Sequence, residues 1–335
     1  MTKELQEKMK SKYKYIHTGQ EPKLNRVRLG WHITDWCNLS CPYCIQTCDH
    51  HYDDRPKETT EYVEKIANIL RPKFTNQNVD MTLYGGEISH HFDIRKLCEI
   101  MFKDNNCDAF VTFLTNLTAP LKVYEDFLKL SSEKDCVRPS VIPSYQWTNP
   151  HEFTDKCKVL IDYLGKRFQC TCVVWSATTV EALKRVTSIF EEKDVPIRFT
   201  LGRQPNSGNK FFEFKEGVED FVKEWNKYYF NKSSATVTYV NGEIVHFPAR
   251  SDVLREIAKE EDLPYACFEG FYCATGLSLL ANGKLRAGSC PERSKIVLGN
   301  ILENPNLDIH SYKDYCHCDK GCNMCNSQLI WNGRL

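Results

Sequence analysis

The fold is decided by the stretch Val27-Arg28-Leu29-Gly30-Trp31-His32-Ile33-Thr34-Asp35-Trp36-Cys37-Asn38-Leu39-Ser40-Cys41-Pro42-Tyr43-Cys44. Val27 to Thr34 is an apolar, β-prone run and reads as a strand. Three cysteines at spacing Cys-x3-Cys-x2-Cys follow on the loop that leaves it, and such a loop can wrap three thiolates around one small metal cluster. Soft thiolates select iron-sulfur or zinc over the hard cations. Three ligands for a cubane of four irons leave one iron open, and an open position lets a substrate or cofactor bind the metal directly. A zinc knuckle is the competing reading. Structural zinc prefers four closed ligands, commonly as paired Cys-x2-Cys, and Cys48 stands at the wrong spacing to be the fourth.

Outward from this loop the chain alternates between strand-like and helix-like segments. The periodicity predicts strands at Val27 to Thr34, Val79 to Leu83, Ala109 to Leu114, Val137 to Ser144, Cys170 to Ser176 and Pro196 to Leu201. Between and after them it predicts helices: Glu58 to Leu70, capped near Thr59 or Thr60; one carrying Ile94, Leu97, Met101 and Phe102; one after Pro120; one from Asn149-Pro150; Val180 to Glu192; and Val218 to Tyr229. Six βα units in a row predict a parallel sheet, because parallel strands need crossover connections. After Asn231 the pattern changes to two hairpins, Ala235 to Phe247 around Asn241-Gly242 and Ser278 to Ala287 around Asn282-Gly283. A short charged helix, Asp252 to Glu261, is expected between them. The expected organisation is a capping segment over 1–26 with a short helix from Glu4 to Tyr15, a parallel-sheet α/β domain over 27–232, and a small C-terminal domain over 233–335.

At 335 residues the chain has room for one large α/β domain and a small appendage. A 41% hydrophobic and 12% aromatic content suits a globular enzyme, and a formal net charge of zero gives no reason to expect nucleic acid or an anionic membrane as partner. No stretch reaches the roughly 18 apolar residues of a membrane helix. Met1 to Lys8 is charged and lacks the apolar core of a secretory signal, so a cytoplasmic location is expected. Seventeen cysteines, an odd number, favour metal over a disulfide framework in that setting. They gather at Cys37, Cys41, Cys44 and Cys48 near the start and at Cys267, Cys273, Cys290, Cys316, Cys318, Cys322 and Cys325 near the end. Cys98 and Cys157, on apolar helical faces, and Cys170 and Cys172, in a β-like run, read as small buried hydrophobes.

Tyr84-Gly85-Gly86-Glu87 ends the strand after the cysteine loop. Glycines let a backbone approach a ligand, and a carboxylate can pair with an ammonium group. Together with the cysteine spacing and the aromatic Tyr43 before the third cysteine, this arrangement resembles the radical S-adenosylmethionine (radical SAM) superfamily. The resemblance implies an α/β fold with a partial (β/α)6 TIM-like barrel. It implies that Cys37, Cys41 and Cys44 hold a [4Fe-4S] cluster whose fourth iron is chelated by SAM. One electron would then cleave SAM reductively to a 5'-deoxyadenosyl radical that takes a substrate hydrogen. By the same resemblance Gly85, Gly86 and Glu87 hold the methionine amino group and Tyr43 lies against the adenine. Asn116 and Ser144, ending the third and fourth strands, stand where relatives place polar groups near SAM or substrate, although both residues also commonly cap turns. The fourth strand runs into Pro143-Ser144-Tyr145-Gln146, without the Ser-x-Asp-Gly common in relatives. Arg203 is a candidate for a carboxylate, for SAM or for solvent.

Near the C-terminus, Cys273, Cys290, Cys322 and Cys325 make a set of four thiolates suited to a closed [4Fe-4S] cluster or zinc. Beside a radical SAM core this resembles the auxiliary-cluster extension called SPASM, or its shorter twitch form, in a β-hairpin/helix iron-sulfur domain. Cys267, Cys273, Cys290 and Cys325 form an alternative set. Cys316 and Cys318 are spare, or belong to a second auxiliary cluster that lacks a ligand. The resulting expectation is an oxidoreductase-type enzyme that oxidises or cross-links a peptide or small molecule. It would take electrons from an external donor such as flavodoxin or ferredoxin. The contrasting expectation is a non-catalytic zinc or iron-sulfur protein for binding or electron transfer.

Overall fold

The computed structural model describes residues 8, 11–18, 26–44, 59–103, 106–133, 135–202, 204, 212–229, 235–247, 260, 272–287, 295–310, 312–315 and 328–330. Strands β2 (Arg26–His32), β3 (Asn78–Tyr84), β4 (Asp108–Thr115), β5 (Val137–Tyr145), β6 (Thr171–Val174) and β7 (Arg198–Leu201) pair in parallel, each with the next. The crossovers carry α1 (Thr60–Phe74), α2 (Ile94–Phe102), α3 (Leu121–Leu128), the single turn α4 (Leu130–Glu133), α5 (Pro150–Leu164) and α6 (Val180–Glu192), and α7 (Val218–Tyr229) follows β7. The predicted α/β succession of six units is therefore present, as a curved sheet that does not close into a full barrel.

Capping side chains fix where the helices begin. Thr59, Asp93, Asn149 and Thr179 each accept a hydrogen bond from the first turn they precede, which satisfies an otherwise orphaned amide. Along β2 and β3 the residues alternate, with Val27, Leu29, Trp31, Val79, Met81 and Leu83 buried in the core shared with Val63, Ile66 and Leu70 of α1. Each such side chain contributes about 1.5–3 kcal/mol on burial. The alternate residues, among them Arg28, Gly30, His32, Asp80, Thr82 and Tyr84, face the other, concave side of the sheet. Cys98, Cys157, Cys170 and Cys172 are buried in the core, as their apolar neighbours predicted.

The sheet continues past β2. Strand β11 (Leu277–Leu279) adds in parallel to β2, and β12 (Lys284–Arg286) and β13 (Val297–Asn300) extend it antiparallel, giving the order β13-β12-β11-β2-β3-β4-β5-β6-β7. A second, antiparallel sheet has the order β14-β10-β15-β1-β8-β9, with β1 at Tyr13–Thr18, β8 at Ala235–Tyr239, β9 at Ile244–Phe247, β10 at Tyr272–Thr275, β14 at Tyr312–Tyr315 and β15 at Gln328–Ile330. Both predicted hairpins form. The helix expected from Glu4 to Tyr15 is corrected at its end, because Tyr13–Thr18 is a strand between β8 and β15. Its hydrogen-bond partners lie more than 200 residues away in sequence, and these non-local bonds override the local helical reading. The helix expected over Asp252 to Glu261 falls almost wholly outside the described residues. No helix among the described residues is long and apolar enough to cross a membrane.

Candidate functional site

Where β2 and β3 end, the cysteine loop lies directly on the two glycines. The Gly86 amide donates to the Thr34 carbonyl at 2.8 Å and the Glu87 amide to the Trp36 carbonyl at 2.8 Å. A methyl group on Gly86 would lie 1.6 Å from the Trp36 carbonyl oxygen, and one on Gly85 would lie 2.4 Å from that of Thr34. The close approach that the glycines allow is thus an approach of the cysteine loop itself. Their first role is to seat Cys37.

Glu87 is 1% exposed. Its carboxylate accepts from the Ser89 hydroxyl at 2.5 Å, the Ser89 amide at 3.3 Å, the Thr115 hydroxyl at 2.9 Å and the Asn116 amide at 2.6 Å. Burial pushes its carboxyl up from the ordinary range, while the donors on Ser89, Asn116 and Thr115 pull it back down. The end of β3 is locked in this way to the end of β4. Asn116 carries the lock into the loop: its side-chain amide donates to Asn38 at 2.9 Å, and its oxygen accepts from the Thr118 amide and hydroxyl. Asn38 in turn donates to Thr118 at 3.0 Å, and His90 meets the same hydroxyl at 2.9 Å. Trp36 stands edge-on to His91, ring centroids 3.8 Å apart.

On the other flank, Gln146 gathers Tyr43, Cys41 and Ser144. Its side-chain oxygen accepts from the Tyr43 hydroxyl at 2.7 Å and from the Cys41 thiol at 3.5 Å, and its amide donates to Ser144 at 2.8 Å. Tyr43 packs against Trp175 with ring centroids 5.8 Å apart. Burial raises the Tyr43 hydroxyl well above its ordinary value.

The three thiols are half-buried on one short loop. Burial pushes Cys37 up to about 11, and neighbouring Glu87, Cys41 and Cys44 add to the rise, whereas the Leu39 amide, 3.5 Å from its sulfur, lowers it. Among the described residues no three Cys, His, Asp or Glu side chains converge on one ion. A cubane takes each thiolate on a different iron, so its ligands stand wider apart than those of a single zinc. The donor chemistry, three soft thiols on one loop, fits an iron-sulfur cluster, and the deprotonation that burial opposes is what binding iron would supply.

Every residue of the first-cluster expectation therefore gathers at the C-terminal ends of the parallel strands, where barrel folds place their sites. Asn38, Ser89, Thr118, Gln146 and Trp175 join them without having been singled out as ligands. Asn38 lies inside the cysteine motif and Gln146 inside the Pro143-Ser144-Tyr145-Gln146 strand end, but their partners are distant in sequence, so only the fold connects them. Cys290, Cys322 and Cys325, along with Cys48, Arg203, Cys267, Cys316 and Cys318, lie outside the described residues. Of Cys273 only the strand backbone in β10 is described.

Residues 31–141 match the family model described as the radical SAM superfamily. Comparison with curated proteins gives no match. Among solved structures, the chain is similar to polyhistidine-tagged anSMEcpe with bound AdoMet, at 17% identity and a TM-score of 0.50, covering 85% of this chain and 81% of that one. It is also similar to native anSMEcpe with bound AdoMet and a peptide, at 18% identity and a TM-score of 0.50, covering 85% and 82%. At these identities the likeness is one of fold.

Proposed function

We propose that this chain, whose residues 31–141 match the radical SAM superfamily model, belongs to that superfamily, cleaves SAM reductively and removes a hydrogen atom from a peptide or small-molecule substrate. The observation that carries the reading is the docking of a three-cysteine loop onto Gly85 and Gly86, with Glu87 tied to both neighbouring strands. A structural metal site has no need of so elaborate a seat beside three thiols. Cys37, Cys41 and Cys44 would hold the [4Fe-4S] cluster, and the backbone at Gly85 and Gly86 would receive the methionine end of SAM, with the Glu87 carboxylate, already engaged by four donors, fixing that backbone from behind. When bound, the cluster supplies the electron and SAM the hydrogen-abstracting radical.

The chain's own residues do the positioning. Gly86 and Glu87 hold the loop by backbone hydrogen bonds, Asn116 and Thr118 orient it through Asn38, and Gln146 aligns Tyr43 with Cys41 while Ser144 fixes Gln146. The concave face, closed on one flank by β11 and β12, provides a shielded surface for the substrate. In the finer reading, Cys273, Cys290, Cys322 and Cys325 hold an auxiliary cluster of SPASM or twitch type. Such a cluster would supply an acceptor for the electron left on the substrate, which would make the outcome a net oxidation or cross-link, and flavodoxin or ferredoxin would serve as external donor.

The test is anaerobic. Protein reconstituted with iron and sulfide, given SAM and a strong reductant, should release 5'-deoxyadenosine, and Cys41→Ala should release none. A cluster-loaded wild-type protein whose product level equals that of Cys41→Ala would overturn the proposal. Iron near four per chain after full reconstitution would remove the auxiliary cluster and leave the first assignment standing.

A further inference from the structure

Whereas Glu87 beneath the cysteine loop receives four hydrogen bonds, one corner of the concave face carries a cation without an acidic partner among the described residues. The pairing of β11 with β2 sets Ser278 beside Gly30, and the pairing of β12 with β11 sets Arg286 beside Ser278. Residues paired across neighbouring strands project to the same face, so Arg286 and Ser278 share the concave side with Gly30, Arg28 and His32. The Tyr84 ring crosses β2 over Gly30, where a side-chain carbon would come within 3.0 Å of it, and the Tyr84 hydroxyl reaches Ser278 at 3.1 Å. The His32 ring is stacked on Tyr84, centroids 5.5 Å apart. Arg286 lies within electrostatic reach of both rings.

The guanidinium has no acidic partner among the described residues. Arg28 faces Asp80 at 3.9 Å and Asp35 faces His32 at 3.2 Å, so the nearby carboxylates are already engaged. The Nε of Arg286 is buried without a hydrogen-bond partner, and the Nε2 of His32 makes no well-aligned hydrogen bond. Arg286 is half-buried, and an unsatisfied buried donor such as its Nε is rare enough to call for a reason.

We propose that Arg286, with Tyr84, Ser278 and His32 beside it, binds a carboxylate of the substrate on the concave face. The proposal rests on the radical SAM reading for its meaning, because β2 and β3 lead from this corner directly into the Cys37 loop and Gly85. A carboxylate fits better than a phosphate. One unpaired guanidinium offers one positive charge in a planar fork that matches a carboxylate, and Arg28 on the same face is already opposite Asp80. The C-terminal hairpin thereby becomes part of the substrate site.

The experiment uses cluster-loaded full-length protein under anaerobic conditions and reads binding of acetate by saturation-transfer NMR at fixed ionic strength. Saturable acetate binding is expected in the wild type, with or without SAM present, and inorganic phosphate should not displace it. Arg286→Gln should weaken it about tenfold, the loss of one charged hydrogen-bonding group, and Arg286→Lys, which keeps the charge without the fork, should weaken it less. Equal acetate binding in wild type and Arg286→Gln would overturn the proposal. So would displacement of acetate by SAM, which would make this SAM's own carboxylate site, or displacement by phosphate. Should Arg286→Gln fail to fold, the comparison of wild type with Arg286→Lys decides in the same way. Acetate binding is read without turnover, so its failure is distinct from a failure of SAM cleavage.

Discussion

The two flanks of β2 differ in how their polar groups are satisfied. On the β3–β4 flank, Glu87, Ser89, Thr115, Asn116, Thr118 and Asn38 form a network in which the carboxylate alone receives four hydrogen bonds. On the β11–β12 flank, Arg286 keeps a buried Nε without a hydrogen-bond partner among the described residues, and the Nε2 of His32 meets Asp35 at 3.2 Å without a well-aligned hydrogen bond. A saturated network is what holds a backbone still, whereas an unsatisfied one is a stability loss that a ligand can offset. The contrast teaches which side of the site builds the cluster loop and which side is left for substrate.

The comparison can be broken at its tightest point. Gly86→Ala sets a methyl group 1.6 Å from the Trp36 carbonyl, so the loop must move. A loss of about 3 kcal/mol in denaturant unfolding, together with lost iron incorporation, is expected. A fully loaded, undiminished variant would show that the loop is not seated there. Glu87→Gln exchanges an acceptor of four donors for an amide that turns its own donors toward Asn116 or Thr115. About 2 kcal/mol should be lost, and retained stability would mean that the network is not the anchor.

The opposite flank should respond to pH. Burial holds His32 below its ordinary value of 6.5, against the raising effect of Asp35. The unfolded chain therefore binds this proton more readily than the folded one, and stability should be full above pH 6.5 and fall as pH drops below it. The slope per proton cannot exceed about 1.4 kcal/mol per pH unit. His91, also held low by burial, contributes to the same window, so His32→Gln should reduce the slope without removing it. An unchanged slope would show that His32 is not held neutral.

The smallest effect sharpens the contrast through its sign. Arg286→Leu removes a cation that lacks a counter-charge, so stability should stay the same or rise by up to about 1 kcal/mol. A clear loss would mean that Arg286 belongs to the structural network after all.

Much of this was legible in the sequence because the signals are local. Helices Val180–Glu192 and Val218–Tyr229 match their predicted bounds, since periodic apolar residues and the cap at Thr179 lie within the segment itself. The cysteine spacing and Gly85-Gly86-Glu87 marked the site for the same reason. What stayed hidden depends on contacts between distant segments. Tyr13–Thr18 becomes a strand only through β8 and β15. Gln146 matters only because the end of β5 meets Tyr43 and Cys41, and Arg286 because β11 pairs with β2 rather than standing apart with its hairpin. No spacing rule within one segment encodes such meetings.

The account stands most directly on the electron paramagnetic resonance spectrum of the reduced protein, recorded before and after addition of SAM. Direct contact between SAM and the cluster held by Cys37, Cys41 and Cys44 predicts a [4Fe-4S] signal whose g-values shift when SAM is added, and which is lost in Cys41→Ala. A strong cluster signal in the wild type that SAM leaves unchanged would contradict it.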